Sequence, residues 1–179
     1  KRTIGIGPRK NKTFKVECPT TYLSTVTFDN GTIIRLTLSF DVIAHQRNHI
    51  ELYGDKGSMI VPDPNMFGGS VYTCKKLGDP WKEHKTNKMP LGKINIRSQS
   101  SRANESSTNS NYRGAGLAEM AYSIQNKKIN KCNGELSLHI LDIIQSMMKA
   151  CKTGKAQSIK TTCKKPQPFS LKEVKKILK

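Results

Sequence analysis

Residues 34–42 carry apolar side chains at every second position, and the pair Asn30-Gly31 lies just before them. Alternation with a period of two is typical of a strand with one buried face and one polar face. Asn and Gly both tolerate positive φ, so this pair favours a tight hairpin turn that joins residues 22–28 to the alternating strand. The apolar face holds Ile34, Leu36, Leu38, Phe40 and Val42, and the polar face holds Arg35, Thr37, Ser39 and Asp41.

A second hairpin is predicted over residues 50–61, with the turn at Gly54-Asp55-Lys56-Gly57. It leads into a loop rich in proline and glycine that carries Asp63 and Asn65. Asp before proline favours turn initiation, so Asp63 is interpreted as the turn former. Further strands are predicted at residues 70–76 and around Trp81.

The second half of the chain changes to the helical period. Apolar residues recur at i, i+3, i+4 and i+7 over residues 116–126 and again over residues 134–152. The second stripe is broad, which predicts a helix buried on most of its circumference, with Gly154 as its C-cap. Ser170 and Glu173 are spaced as a capping box for a short last helix.

Residues 97–111 are almost all small and polar, and they are predicted to form a flexible loop. Such a composition cannot bury enough apolar surface to offset the entropy lost on ordering. A loop of this length is typically a lid or a disordered segment, and composition does not choose between the two.

The chain is strongly basic: 31 Lys and Arg against 13 Asp and Glu give a net charge of +18. A basic surface attracts nucleic acid, but the lysines are scattered, and no nucleic-acid-binding motif accompanies them. Solvated surface is the favoured interpretation, so nucleic acid is not an expected partner. The five cysteines show neither disulfide nor metal-ligand spacing, and no apolar run could span a membrane. These features favour a cytoplasmic protein with free thiols and no metal site.

The ordered set of motifs resembles the C-terminal domain of the glucose–fructose oxidoreductase/inositol dehydrogenase (Gfo/Idh/MocA) family. The resemblance covers nearly the whole chain and rests on VECPTTYLSTVTFDNGT, SFDV, IELYGDKGSMIVPDPNMFGGSV, NYRGAGLAEMAYSI and ELSLHILDIIQSMM. It implies an α+β fold, in which a mostly antiparallel open sheet carries helices on one face. It also implies an NAD- or NADP-dependent oxidoreductase that acts on a sugar, cyclitol or related polyol and forms homo-oligomers through the open sheet face.

The family's cofactor-binding motifs are not found in this sequence. Gly5-Ile6-Gly7 is followed by Pro8 and does not open a helix, and the family's EKP lysine motif is missing. We therefore expect residues 1–179 to be the substrate and oligomerisation domain, incomplete at its N-terminal side and lacking the Rossmann domain. No cofactor and no catalysis are expected for this chain alone.

Four residues are candidates for substrate binding, each with a structural alternative. Asp41, on the polar face at the end of SFDV, could accept hydrogen bonds from vicinal hydroxyls or be an exposed acid. His45 lies just beyond, as a ligand or a surface residue, and Asn65 is either a ligand or part of the turn. Arg113 could clamp a substrate oxygen or pair with an acid. Three residues are interpreted as structural: His139 as a satisfied core histidine, and Glu119 and Asp142 as partners of basic groups.

Three functions remain open at this point. The first is the substrate portion of a sugar or polyol dehydrogenase, and the second, compatible with it, is a module that self-associates through an open sheet. The third and least favoured is a basic nucleic-acid binder.

Overall fold

The computed structural model describes residues 1–95 and 109–178. The chain forms two compact units, Lys1–Gln46 and Arg47–Lys179. Within the described ranges, no helix combines the length and apolar character that a membrane crossing requires.

The first unit consists of two antiparallel strand pairs. Strands β1 (Arg2–Thr3) and β2 (Thr13–Phe14) form the shorter pair, and β3 (Thr21–Thr27) and β4 (Ile33–Ser39) form the longer one. The predicted turn joins β3 to β4: Gly31 has a φ of 84°, and its N–H donates to the carbonyl of Phe28 at 2.9 Å. The prediction of a hairpin at Asn30-Gly31 is confirmed.

The apolar face of β4 is not buried as the alternation predicted. Leu38 is 52% exposed and Ile34 is 39% exposed. The alternation of apolar residues determines which side chains share a face of the hairpin, but their burial also requires another element packed against that face. A two-stranded hairpin alone supplies none.

The second unit contains a four-stranded antiparallel sheet with the order β5-β6-β8-β9. Its strands are β5 (Ile50–Gly54), β6 (Gly57–Val61), β8 (Ser70–Cys74) and β9 (Lys82–Lys85). The predicted hairpin is therefore confirmed, with Asp55 and Lys56 between its strands. A separate pair joins β7 (Phe67–Gly68) to β10 (Asn109–Ser110).

Three helices follow in the described part of this unit, close to the predicted ranges. They are α1 (Ala115–Gln125), α2 (Gly134–Thr153) and α3 (Leu171–Ile177). Gly154 ends α2 with a φ of 65°, as a left-handed C-cap should. Ser170 and Glu173 form both halves of the predicted capping box. Helix α1 contacts α3, and the buried apolar residues of the described chain are Ala115, Val174 and Ile177.

The prediction that α2 is buried on most of its circumference is wrong. None of its residues is fully buried, and Leu138 and Leu141 are more than half exposed, at 56% and 51%. One face is covered by the chain that follows, because Asp142 holds the backbone of Lys160 and Thr161. The breadth of an apolar stripe indicates which side chains favour burial, but it does not determine how many other elements pack against the helix.

The predicted loop over residues 97–111 lies mostly outside the described residues, which resume at Asn109. Its last residues belong to regular structure: Asn109 and Ser110 pair with Gly68 and Phe67. The loop was therefore predicted to end too late. Taken together, the antiparallel sheets and the helices confirm the predicted α+β class.

Candidate functional site

The loop after β6 is a rigid turn built on Asp63. Its Oδ1 accepts a hydrogen bond from the backbone N–H of Asn65 at 2.9 Å, and its carbonyl accepts from Met66 at 3.1 Å. The prediction that Asp63 forms the turn is confirmed. The other carboxylate oxygen lies 3.7 Å from Nε2 of His49. The backbone that carries Asn65 is thus fixed by a side chain two residues earlier.

A second segment, residues 109–113, is braced next to this loop. Strand β10 pairs with β7, and the buried hydroxyl of Ser110 donates to the carbonyl of Gly92 at 2.9 Å. The phenol of Tyr112 donates to the carbonyl of Lys93 at 2.9 Å. The Tyr112 ring also meets Phe67 edge to face, with centroids 5.9 Å apart.

The contacts that hold residues 109–113 next to the Asp63 turn place the Arg113 side chain beside Asn65. One guanidinium nitrogen of Arg113 lies 3.5 Å from Oδ1 of Asn65, and another lies 3.7 Å from Sδ of Met66. Two candidates that are 48 residues apart in sequence therefore meet on one surface. Both side chains are exposed to solvent. A guanidinium donor and a carboxamide side by side can bind the oxygens of a small polar ligand.

Asp41 belongs to the first unit, where polar groups surround its carboxylate. The hydroxyls of Thr20 and Thr21 both donate to Oδ2 at 2.6 Å, and Arg2 donates to Oδ1 at 2.8 Å. These hydrogen bonds, with those from the threonine hydroxyls largest, lower the pKa of Asp41 from 3.8 to about 2. The carboxylate is therefore already well supplied with donors and ties residue 2 to the β3–β4 hairpin.

His45 lies in the connector that follows Asp41 and is exposed. The four candidates thus fall into two groups: Asp41 and His45 in the first unit, and Asn65 and Arg113 in the second. Of the two groups, the second shows direct contact between its candidates.

The residues around Asp41 were missed by sequence reasoning. Arg2 is 39 residues away from it, and Thr20 and Thr21 lie within VECPTTYLSTVTFDNGT without any feature that marks them as partners of Asp41. Only the register of the hairpin could have indicated that Thr21 lies near Asp41, because it places Thr21 opposite Ser39, near the end of β4.

The three residues interpreted as structural keep that role, but two of them have other partners than expected. His139 is half-buried, with Nδ1 3.1 Å from the hydroxyl of Thr161. Glu119 and Asp142 were expected to pair with basic side chains, but they accept mainly from backbone N–H groups. Glu119 accepts from Lys131 N–H, and Asp142 from the N–H groups of Lys160 and Thr161 at 2.9 Å. These bonds lower the pKa of Asp142.

Among residues 1–95 and 109–178, no group of three or more His, Cys, Asp or Glu side chains is clustered so that it could hold a metal ion. The fold and the polar loop site instead define an α+β domain of antiparallel sheets with a small hydrogen-bonding surface.

The comparison with protein families gives this domain its identity. The model of an oxidoreductase family, described as its C-terminal alpha/beta domain (Gfo/Idh/MocA), matches residues 6–161. The chain belongs to this family, as the resemblance of its motifs implied. No curated protein and no solved structure matched the chain.

Proposed function

We propose that this domain binds the substrate of an NAD- or NADP-dependent oxidoreductase that acts on a sugar, cyclitol or related polyol. The family match supplies the class of protein, and the contact between Asn65 and Arg113 supplies the surface. Vicinal hydroxyls need both donors and acceptors, and the Asn65 carboxamide offers both beside a guanidinium donor.

The loop after β6 and residues 109–113 are both held in place by hydrogen bonds, which supports a binding role for the Asn65–Arg113 surface. The backbone on either side of the two residues is fixed by the Asp63 turn and by the β7–β10 pair. A site held in place before its ligand arrives loses less entropy on binding.

The segment Gly5-Ile6-Gly7 does not fit a dinucleotide-binding loop. Gly5 and Gly7 lie in the turn between β1 and β2, where the N–H of Lys10 donates to the carbonyl of Gly7 at 3.0 Å. A dinucleotide loop needs a strand before it and a helix N-terminus after it. We therefore propose that this chain supplies the substrate surface and that a dinucleotide-binding domain working with it supplies the cofactor.

Binding of neutral polyols tests the proposal directly. A titration of the ¹⁵N-labelled chain with myo-inositol or sorbitol should shift the side-chain signals of Asn65 and Arg113. Asn65→Ala should abolish the shift of Arg113. Asn87→Ala removes an exposed carboxamide elsewhere in the same unit and should leave the shift unchanged. If neutral polyols, sugars and sugar acids all leave both signals unmoved, the proposed function is wrong.

Self-association is the second part of the proposal and rests on a different observation. Strand β4 and its partner expose large apolar side chains, with Ile33 66% and Leu23 68% accessible. Exposed apolar surface of this kind marks interaction sites. A two-fold contact between copies of the chain would cover it on both copies at once.

A further inference from the structure

We infer that the surface formed by Asn65, Met66 and Arg113 binds a polyhydroxylated carboxylate, and that the substrate is a sugar acid rather than a neutral polyol. This inference rests on the proposed function and narrows its substrate class. Arg113 would bind the carboxylate, and Asn65 would orient the adjoining hydroxyl groups.

The guanidinium of Arg113 has weak partners. Within the described residues, its side chain contacts a neutral amide oxygen at 3.5 Å and a thioether sulfur at 3.7 Å. The 3.5 Å distance is long for an N–H···O hydrogen bond, whose distances cluster near about 2.9–3.0 Å, and a thioether sulfur is a weak acceptor. A guanidinium carries five N–H donors in a planar fork, so most of its capacity remains for a ligand.

Among residues 1–95 and 109–178, no acidic side chain forms an ion pair with Arg113. In the described part of the chain, ion pairs are formed by Arg2, Lys15, His49 and Lys131, and Arg113 takes no part in them. Asp63 lies on the facing loop, but one of its oxygens accepts from Asn65 N–H and the other faces His49. The first turn of α1, which begins two residues after Arg113, also contains no acid. The positive charge at this surface therefore has no described acidic partner.

The chemistry of the surface favours a carboxylate over other ligands. Two parallel N–H donors match the two oxygens of a carboxylate, and such charge-assisted hydrogen bonds are about twice as strong as neutral ones. A hydroxyl group would leave the positive charge unbalanced. A phosphate monoester carries about −1.5 to −2 charges near neutral pH, more than one guanidinium balances. The net charge of +18 also attracts anions to the whole protein.

D-Gluconate and sorbitol make a matched pair of probes, because they differ only in a terminal carboxylate against a terminal hydroxymethyl group. We would titrate each into the full 179-residue chain at constant ionic strength and follow the Arg113 Nε–H signal by NMR. We expect gluconate to bind about 10-fold more tightly than sorbitol, the factor that one charge-assisted hydrogen bond supplies. Acetate and inorganic phosphate serve as anions without a polyol chain.

Three variants separate recognition from general electrostatics. Arg113→Gln should remove the preference for gluconate, and Arg113→Lys, which keeps the charge without the fork, should restore only part of it. Arg9→Gln is the matched control: it removes one positive charge from an exposed turn and should keep the full preference. Because the contacts of Arg113 are weak, the variants should keep the amide spectrum of the parent chain.

The possible results distinguish failure of the sugar-acid inference from failure of the proposed function. Gluconate preference that disappears in Arg113→Gln but not in Arg9→Gln supports the sugar-acid inference. Equal binding of gluconate and sorbitol overturns that inference and leaves the proposed function standing. Equal binding of acetate, phosphate and gluconate also overturns it, since the surface would then be a simple anion site. Failure of both gluconate and sorbitol to bind overturns the inference and the proposed function together.

Discussion

The backbone N–H of Lys131 lies 3.2 Å from each of the two carboxylate oxygens of Glu119. Glu119 is only 7% exposed, and it also accepts a hydrogen bond from the hydroxyl of Ser123 at 2.9 Å. This carboxylate thus fixes the chain after α1, at the point where Lys131 reaches towards α3. The ammonium of Lys131 pairs with Glu173 at 3.3 Å and lies 5.0 Å from the Phe169 ring centroid.

Replacement of Glu119 should therefore destabilise the second unit. Glu119→Ala leaves the buried Ser123 hydroxyl and the Lys131 N–H without their acceptor, at a cost of about 1–3 kcal/mol in the free energy of unfolding. Urea denaturation measures this cost. Glu17→Gln, which alters an exposed pair with Lys15, should change stability by less than about 1 kcal/mol. Equal effects of the two substitutions would contradict a structural role for Glu119.

Protonation of Asp41 should loosen the first unit at low pH. Its pKa is lowered from 3.8 to about 2, so its native contacts favour the ionised form. The contribution to stability is complete above the unfolded pKa and disappears as the pH falls from 3.8 towards 2. A carboxyl ¹³C NMR titration of Asp41 checks this directly.

Threonine variants test the cause of that shift. Thr20→Val and Thr21→Val should each raise the pKa of Asp41, because each removes a hydroxyl that donates to Oδ2. Thr27→Val, at the opposite end of β3, should leave it unchanged. An unshifted Asp41 pKa in both of the first two variants would refute the assigned cause.

Gly68 should be required for the geometry beneath the Asn65–Arg113 surface. Its φ is +77°, and an added Cβ would lie 3.0 Å from Oγ of Ser110 and 3.1 Å from the carbonyl of Gly92. Gly78 is a matched control, with a φ of +88° and open space around it. Both alanine variants should lose about 1–2 kcal/mol for the left-handed backbone. Gly68→Ala should lose more and should also shift the Arg113 signal, whereas Gly78→Ala should not.

Removal of the cap of α3 should increase its local unfolding. The Ser170 hydroxyl accepts from Glu173 N–H at 3.2 Å, and Ser170→Ala should cost about 1 kcal/mol of local stability. Amide exchange at Val174 and Leu178 should accelerate about fivefold. Ser158→Ala, an exposed serine outside the helices, provides the comparison. Unchanged protection in Ser170→Ala would show that packing of Val174 and Ile177 alone holds the helix.

Self-association, if it uses the polar face of β4, should respond to the charge of Arg35. At an isologous contact Arg35 needs an acid or backbone carbonyls as partners, because an unpaired buried guanidinium is costly. Arg35→Glu should therefore weaken association in sedimentation experiments. Arg9→Glu makes the same change of charge at an exposed turn and should have little effect. A monomeric parent chain at high micromolar concentration would rule out the contact.

Local structure was predictable from the sequence because it depends on residues that are near one another along the chain. The Asn30-Gly31 turn, the Asp63 turn, the Gly154 cap and the Ser170–Glu173 box all join groups within a few residues. Their conformations follow from allowed φ values and from side chains that reach the adjacent backbone. Hydrophobic periodicity in the same way located the helices, but it predicted too much burial for α2.

The tertiary structure decided which distant residues meet. Arg113 reaches Asn65 across 48 positions, and Arg2 reaches Asp41 across 39. The first contact depends on the pairing of β7 with β10, and the second on the position of the N-terminal segment at the end of the β3–β4 hairpin. Sequence named Asn65, Arg113 and Asp41 as polar residues at element ends. The tertiary structure places Asn65 and Arg113 on a common surface and surrounds Asp41 with hydrogen-bond donors. Contacts between such distant positions depend on packing and not on local conformational preference.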